Sequence, residues 1–300
     1  MSFATRAFRR IEGGLAELVR QLQLIESFEV APTDLVLDVG SGQNPSMRAN
    51  VLCDRFLFDN SERACGGRPI SDRPLVVADA ERLPFRDRAF DFVVCSHLLE
   101  HVRHPEKLAA ELQRVAGRGY IETPSRVHER LYGNHFHKWF VSRRNGALHL
   151  SPKPTATFSD EISSWFRGQL DHHDAFRDLV GRRLDELGFL VRYQWSGAID
   201  IEVDGSLTSE EDFVFASIAE PVDLDLRPHS PGQKLRSLLG RLLRRRSELM
   251  NGRLPELLVC SCCGAGPLRR DGDAVSCSNG HRFPVRNKLF FVGEEFEGKR

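Results

Sequence analysis

Between positions 35 and 45 the chain reads Leu-Val-Leu-Asp-Val-Gly-Ser-Gly-Gln-Asn-Pro, an apolar run that ends in two glycines, Gly40 and Gly42. Leu35, Val36, Leu37 and Val39 leave almost no polar face, the pattern of a parallel strand covered on both sides. The glycines allow a turn in which bare backbone can approach a ligand closely. Asp38 precedes the turn at the carboxyl end of the strand, where open α/β sheets bind their ligands. A Gly-x-Gly turn after a strand serves dinucleotides, nucleotides and simple tight turns alike, so the sequence downstream has to decide.

Strand-like runs recur at 51–53, 75–77, 90–96 and 119–123, and a helix is predicted over 105–116, with Pro105 suited to a first helical position. Strands alternating with helices imply a doubly wound, Rossmann-like α/β sheet that is mostly parallel. A helix over 171–187 leads to two strands, 189–195 and 212–218, expected to form an antiparallel pair that closes a seven-stranded sheet. An amphipathic helix over 4–26 precedes it, with Phe8, Ile11, Leu15, Leu18, Val19 and Leu22 at helical spacing. Residues 124–170 break the rhythm. They are rich in histidine and aromatics, and an insertion of this length in a compact domain is usually functional. The expected organisation is an N-terminal helix (1–30), a sheet domain (31–220), a linker with a basic helix (221–255) and a small cysteine-bearing domain (256–300).

Asp54 closes the second strand and Asp79 the third, within Asp79-Ala80-Glu81-Arg82-Leu83-Pro84-Phe85; Phe90-Asp91 through Glu100-His101 covers the fourth. With Asp38, Gly40 and Gly42, this ordered set resembles a class I S-adenosylmethionine-dependent methyltransferase of the type 11 group over residues 30–220. The resemblance implies S-adenosylmethionine as cofactor. Gly40 and Gly42 would face its methionine part and Asp38 would order it, Asp54 would bind the ribose, and Asp79 with Ala80 the adenine. One departure stands out: no third glycine follows Gly42, and only eight residues, Gln43 to Asn50, precede the next strand. The usual helix there must be very short or replaced by a loop. That removes the helix N-terminus that holds pyrophosphate, a group the sulfonium cofactor lacks, so the departure counts against a dinucleotide enzyme.

The cofactor brings the electrophile, and the protein has mainly to align an acceptor. A sugar or alkyl hydroxyl also needs a proton acceptor. His97, just past the fourth strand, stands where this fold presents its acceptor, and His135 and His137 lie in the insertion; these three are the candidate catalytic residues. His101 follows one helical turn after His97, and Glu122, near the end of the fifth strand, reads as either a base or a polar strand terminus. The aromatic and histidine content of 124–170 suits a glycan or another small polar hydroxyl acceptor.

Near the C-terminus, Cys260-Ser-Cys262-Cys263 and Cys277-Ser-Asn-Gly-His281 present a Cys-x2-Cys and a Cys-x3-His pair. Cys260, Cys263, Cys277 and His281 are the candidate ligands of a structural, tetrahedral Zn2+, which would hold a segment with too little core to fold well alone. The segment resembles the small zinc ribbons attached to some methyltransferases and methyltransferase activators. Upstream, the basic helix expected over 233–250 has leucines at helical spacing with arginines mostly opposite. It either packs its leucines on its own domain or lies on RNA or on an anionic membrane surface. Lys+Arg and Asp+Glu both number 42, so no global charge marks a nucleic-acid binder, and no apolar run reaches the ~18 residues of a membrane span. Clustered cysteines without an export signal point to metal rather than disulfides, and to a cytoplasmic protein. Two other functions stay open: an RNA methyltransferase gripping phosphates with ribbon and helix, and a non-catalytic scaffold on the same fold.

Overall fold

The computed structural model describes residues 22, 28–57, 68–134, 136–154, 161–184, 186–207, 226–244 and 250–293. The helix expected over 4–26, apart from residue 22, and the strand expected over 212–218 lie outside them. Four strands come first: β1 (Val36–Val39), β2 (Val51–Asp54), β3 (Leu75–Val77) and β4 (Phe92–Ser96). Helix α1 (Pro105–Val115) then leads into β5 (Arg118–Pro124). Pro105 occupies the first turn of α1, and Leu108, Ala109, Leu112 and Val115 form its buried face. Gly119 lets β5 lie close to β4, because a Cβ there would meet the Val93 carbonyl oxygen at 2.5 Å.

The insertion folds as α2 (Arg126–Tyr132), the hairpin of β6 (Trp139–Arg144) and β7 (Ala147–Pro152), and α3 (Glu161–His172). It is followed by α4 (Asp174–Arg182), β8 (Leu190–Ser196) and β9 (Ile201–Val203). The helix expected over 171–187 is α4, shorter at both ends, and residues 171–172 belong instead to the end of α3. His173 is extended (φ −122, ψ 97), and Arg177 donates to the Leu170 carbonyl at 2.7 Å, satisfying an end of α3 that a continuous helix would have bonded internally. The hairpin and β9 make a separate three-stranded sheet, β6-β7-β9. It is tied to the segment after β4, where Trp139 Nε1 donates to the Val102 carbonyl (2.8 Å) and Lys138 N to the Glu100 carbonyl (2.7 Å).

The C-terminal part comprises α5 (Pro231–Leu243), α6 (Met250–Leu257) and the strands β10 (Arg269–Asp271), β11 (Ala274–Ser276), β12 (Arg282–Arg286) and β13 (Leu289–Phe291). The main sheet has the order β10-β11-β12-β13-β3-β2-β1-β4-β5-β8. It therefore has ten strands where seven were expected. β8 pairs antiparallel with β5, while 212–218, the strand expected to pair with it, lies outside the described residues; the other edge continues through β13, parallel to β3 with Phe290 opposite Val76. The ribbon is an extension of the sheet rather than a separate small domain. Period-two alternation explains why: Phe290 faces the cluster of Leu37, Val76 and Val93, and Phe291 faces that of Val36, Leu52 and Phe92 on the other side.

The strand order reverses between β1 and β4, which opens a crevice at their carboxyl ends. Residues 43–50 form turns without a helix, as the short spacing predicts. Their carbonyls are taken up by arginines instead: Arg73 Nη1 reaches Ser46 O (2.8 Å) and Ala49 O (2.7 Å), and Arg244 Nη1 reaches Met47 O (2.8 Å). Arg244 directly follows α5, which ends at Leu243 instead of running through 250. Its inward face is Ser237 and Gly240, while Leu235, Leu238 and Leu242 are 46%, 56% and 71% exposed. These three leucines thus face outward, while Leu239 and Leu243 are partly buried.

Because Phe290 bridges ribbon and sheet, Phe290→Ala is expected to cost about 3–5 kcal/mol and to lower the urea midpoint reported by the sheet-domain tryptophans. An unmoved tryptophan transition would show that ribbon and sheet unfold as separate units.

Candidate functional site

Gly40 adopts φ +75, and a Cβ there would lie 3.0 Å from Leu98, so both backbone angle and space demand glycine. The N–H groups of Gly40 and Ser41 donate to the Cys53 carbonyl at 2.8 and 3.2 Å. The Gly42 N–H donates to Asp54 Oδ2 (2.8 Å), and Asp54 Oδ1 accepts from Phe56 N (3.0 Å). Asp54 therefore ties the turn to the end of β2 while facing the crevice end of the sheet. Asp38 is buried, and its Oδ2 accepts from Ser46 N at 2.7 Å. Burial pushes its pKa up to about 6, against the pull of the Ser46 N–H and Arg73 and with a smaller push from Asp54. Ser41 Oγ is buried with no hydrogen-bond partner among the described residues. Asp79 accepts from Arg55 Nη1 (2.7 Å) and Glu81 N (2.9 Å), and Ala80 beside it is partly exposed. The three aspartates thus stand at the carboxyl ends of β1, β2 and β3.

Beyond β4 and β5 the side chains change character. His97 has φ +53, costly for a non-glycine residue, and its N–H donates to the Glu122 carbonyl (2.7 Å). Its ring lies between two buried carboxylates: Nδ1 is 3.5 Å from Glu100 Oε1, and Nε2 is 3.6 Å from Glu122 Oε1. Burial alone would lower its pKa, but Glu100 and Glu122 outweigh that and push it up to about 10. Half of the side chain is open to water, which screens the effect without reversing it. His97 therefore holds its proton at neutral pH, and this setting does not suit the base expected from the sequence. Glu100 is pulled down to about 2; burial opposes, but His97, His101 and His137 prevail. Glu122 also accepts from the Tyr120 hydroxyl (2.7 Å) and Arg192 Nε (3.0 Å).

His137 is buried with Nδ1 2.5 Å from Glu129 Oε1, and Glu129 Oε2 accepts from Lys153 Nζ at 2.6 Å. Burial lowers the His137 pKa despite Glu129. The structure thus brings His97 and His137 to one cluster through Glu100, while His135 lies outside the described residues. Sequence reasoning missed Ser41, Arg55, Glu129 and Lys153, since nothing local to those positions marks them. Glu100 stood in the Glu-His pair without a role of its own.

The four residues proposed as metal ligands converge: one donor atom each from Cys260, Cys263, Cys277 and His281 lies within 4.8 Å of the others. Cys263 Sγ and Cys277 Sγ are 3.9 Å apart, and Cys277 Sγ is 3.4 Å from His281 Nδ1. Tetrahedral sulfur ligands at ~2.3 Å from zinc lie roughly 3.8 Å apart, so the donor set and its spacing fit that ion. Backbone turns shape both knuckles, through Gly264 N to Cys260 O (2.8 Å) and Gly280 N to Cys277 O (3.1 Å).

The shift at Asp38 carries a stability consequence. The native carboxyl holds its proton more tightly than the unfolded one, so stability falls as pH rises from about 4 through 6, by on the order of 3 kcal/mol. Asp38→Asn removes the charge and retains an oxygen for Ser46 N. Urea unfolding at pH 4.5 and 7.5 is expected to show the variant gaining on the wild type at the higher pH. A difference independent of pH would contradict this account of Asp38.

Comparison with known proteins bears on the same stretch. The family described as "Methyltransferase domain" matches residues 37–120. Demethylmenaquinone methyltransferase of Renibacterium salmoninarum is 33% identical over 100 residues, 32% of this chain and 42% of the relative. Ajmaline N-methyltransferase of Rauvolfia serpentina is 31% identical over 109 residues, 30% of this chain and 37% of the relative. The chain thus spans less than half the length of these curated relatives. Among solved structures, a chain in the complex of the Haloferax volcanii Trm112 methyltransferase activator with a methyltransferase is 16% identical, with a TM-score of 0.38 over 65% of this chain and 94% of that one. The S-adenosylmethionine-dependent methyltransferase structure from Thermotoga maritima is 19% identical, with a TM-score of 0.29 over 41% of this chain and 59% of that one. The methyltransferase-domain match contains every position that the sequence marks for the cofactor, Asp38, Gly40, Gly42, Asp54, Asp79 and Ala80.

Proposed function

We infer that this chain is an S-adenosylmethionine-dependent methyltransferase acting on a hydroxyl of a glycan or another small polar acceptor. The observation that carries the reading is one of placement. Asp38, the Gly40–Gly42 turn, Asp54 and Asp79 stand at the ends of three adjacent strands, and the next two strands present a histidine–carboxylate cluster. When bound, the cofactor supplies a sulfonium methyl group. Asp54, which accepts from Gly42 N and Phe56 N, would bind the ribose hydroxyls, and Asp79 with Ala80 would read the adenine, Asp79 sharing its carboxylate with Arg55. The unpartnered Ser41 hydroxyl and the approachable Gly40 backbone suit the polar methionine part. His97, already protonated, orients an acceptor oxygen or carboxylate by donating a hydrogen bond rather than removing a proton. The balanced charge of the chain favours a small acceptor over RNA. Calorimetry with S-adenosylhomocysteine tests the site: binding is expected in the micromolar range or tighter, and at least tenfold weaker in Asp79→Ala. No binding, or binding undiminished in that variant, sinks the reading.

The ribbon belongs to the same reading, with Cys260, Cys263, Cys277 and His281 holding one structural zinc. Its first knuckle leans on the loop after Asp79: Arg82 Nη2 donates to the Ser261 carbonyl (2.8 Å), and Val259 N to the Pro84 carbonyl (3.0 Å). Metal analysis of tag-free protein is expected to give one zinc per chain, and its removal by a chelator to weaken S-adenosylhomocysteine binding. A zinc content far below one per chain would remove the ribbon from the account.

A further inference from the structure

Glu100, His101 and His137 each place one donor atom within 4.8 Å of the other two. Glu100 is fully buried. Its Oε2 accepts from the Thr123 hydroxyl at 2.9 Å, while Oε1 has no hydrogen-bond partner among the described residues. The ring nitrogens nearest to Oε1 are His97 Nδ1 at 3.5 Å and His101 Nε2 at 4.0 Å, too far for a strong hydrogen bond. His97 offsets the charge of this buried oxygen from a distance, and a cation bound directly to it would satisfy it more fully. His137 is oriented by a second carboxylate. Glu129 takes Nδ1 and is itself fixed by Lys153, which leaves Nε2 of His137 as its free donor atom. A carboxylate bonded to the far nitrogen is the arrangement that metal-binding histidines adopt. The His101 ring is held by stacking on Phe136 (centroids 5.8 Å apart, planes 6° from parallel) and stands edge to face with His137.

We propose that Glu100, His101 and His137 form a second metal site, for a divalent transition cation, at the acceptor end of the crevice. Two imidazoles and one carboxylate suit Zn2+, Mn2+ or Fe2+ and leave coordination positions open. Bonds of ~2.1 Å bring ligand atoms to roughly 3.4 Å from one another, a closure that small rotations of the two rings supply. The open positions would take oxygens of the acceptor, and a cation lowers the pKa of an oxygen acid bound to it. The acceptor class is then one that offers hydroxyl oxygens to a metal, such as the adjacent hydroxyls of a sugar. The role in methyl transfer rests on the reading above; the metal site itself does not.

The test is titration of tag-free protein with Co2+ alone, followed by visible absorption. The ribbon would show thiolate charge-transfer bands, whereas a nitrogen–oxygen site shows only weak d–d bands. A saturable equivalent of the second kind is expected. Its affinity should fall at least tenfold in Glu100→Gln and in His137→Gln, and about 10–100-fold in Glu129→Gln. Circular dichroism checks the fold of each variant, and His101→Gln, altering the most exposed of the three, gives a ligand deletion that spares the core. Absence of a saturable site outside the ribbon, or one that these substitutions leave unchanged, overturns the proposal and makes the trio an ion-pair network. Calorimetry with S-adenosylhomocysteine on the same samples separates the two readings: cofactor binding without cobalt binding removes only the metal site, and the converse removes only the methyltransferase reading.

Discussion

The structure turns on charged hydrogen bonds from arginines to the carbonyls of a loop. Residues 43–50 stand where a helix would ordinarily bond its own carbonyls, and a bare loop in a buried position would leave them unpaired. Arg73 takes two of these carbonyls and Arg244 a third, while Arg48, within the loop, donates to the Asp34 carbonyl. Bonds from a guanidinium are stronger than neutral ones and reach two acceptors at once. Asp72 anchors the group, 2.5 Å from Arg73 Nε, and is held down to about 2; burial opposes this, but Arg73, Ser237 and Arg244 outweigh it. Arg244 is itself so buried that its pKa falls to about 9. The Gly40–Gly42 turn is therefore held in shape by a residue two hundred positions away, which explains why a helix from the C-terminal part of the chain belongs to the sheet domain.

Local costs concentrate at the crevice. Asp38 is buried against its preference for charge, His97 occupies a left-handed conformation, and Ser41 Oγ and Glu100 Oε1 have no hydrogen-bond partner among the described residues. The parallel strands a few ångströms away show the opposite, with β1, β2 and β3 wholly buried and apolar apart from Asp38 and Asp54. Conflicts of this kind, confined to one end of an otherwise consistent sheet, are typical of functional sites.

The sheet core was legible because its strands are short apolar runs bounded by turn residues, and five of them were placed to within two residues at each end. Asp38, Asp54 and Asp79 were legible for the same reason, since each stands at or near the carboxyl end of a strand. The convergence of Cys260, Cys263, Cys277 and His281 was legible in their spacing. The fate of the ribbon was not legible: Leu289–Phe291 reads as a small domain's own core until Leu75 is seen beside it. The helix break at His173 depends on Arg177 reaching back to Leu170, and the outward leucines of α5 follow from Gly240 being the position that tolerates Met47 and Arg244 at close range. The ion pairs of Glu129 and Lys153 join positions 24 apart, a relation that no periodicity encodes.

The pairing of β13 with β3 also sets an order of events. Leu75 is matched by Leu289, so one flank of the central strands stays unpaired until the far end of the chain arrives. Contacts between such distant positions close slowly because a long loop must be ordered before any reward. Until then β3 is an open sheet edge of three apolar residues, the kind of surface that recruits other chains. The C-terminal strands are in this sense a late-arriving cover for β3.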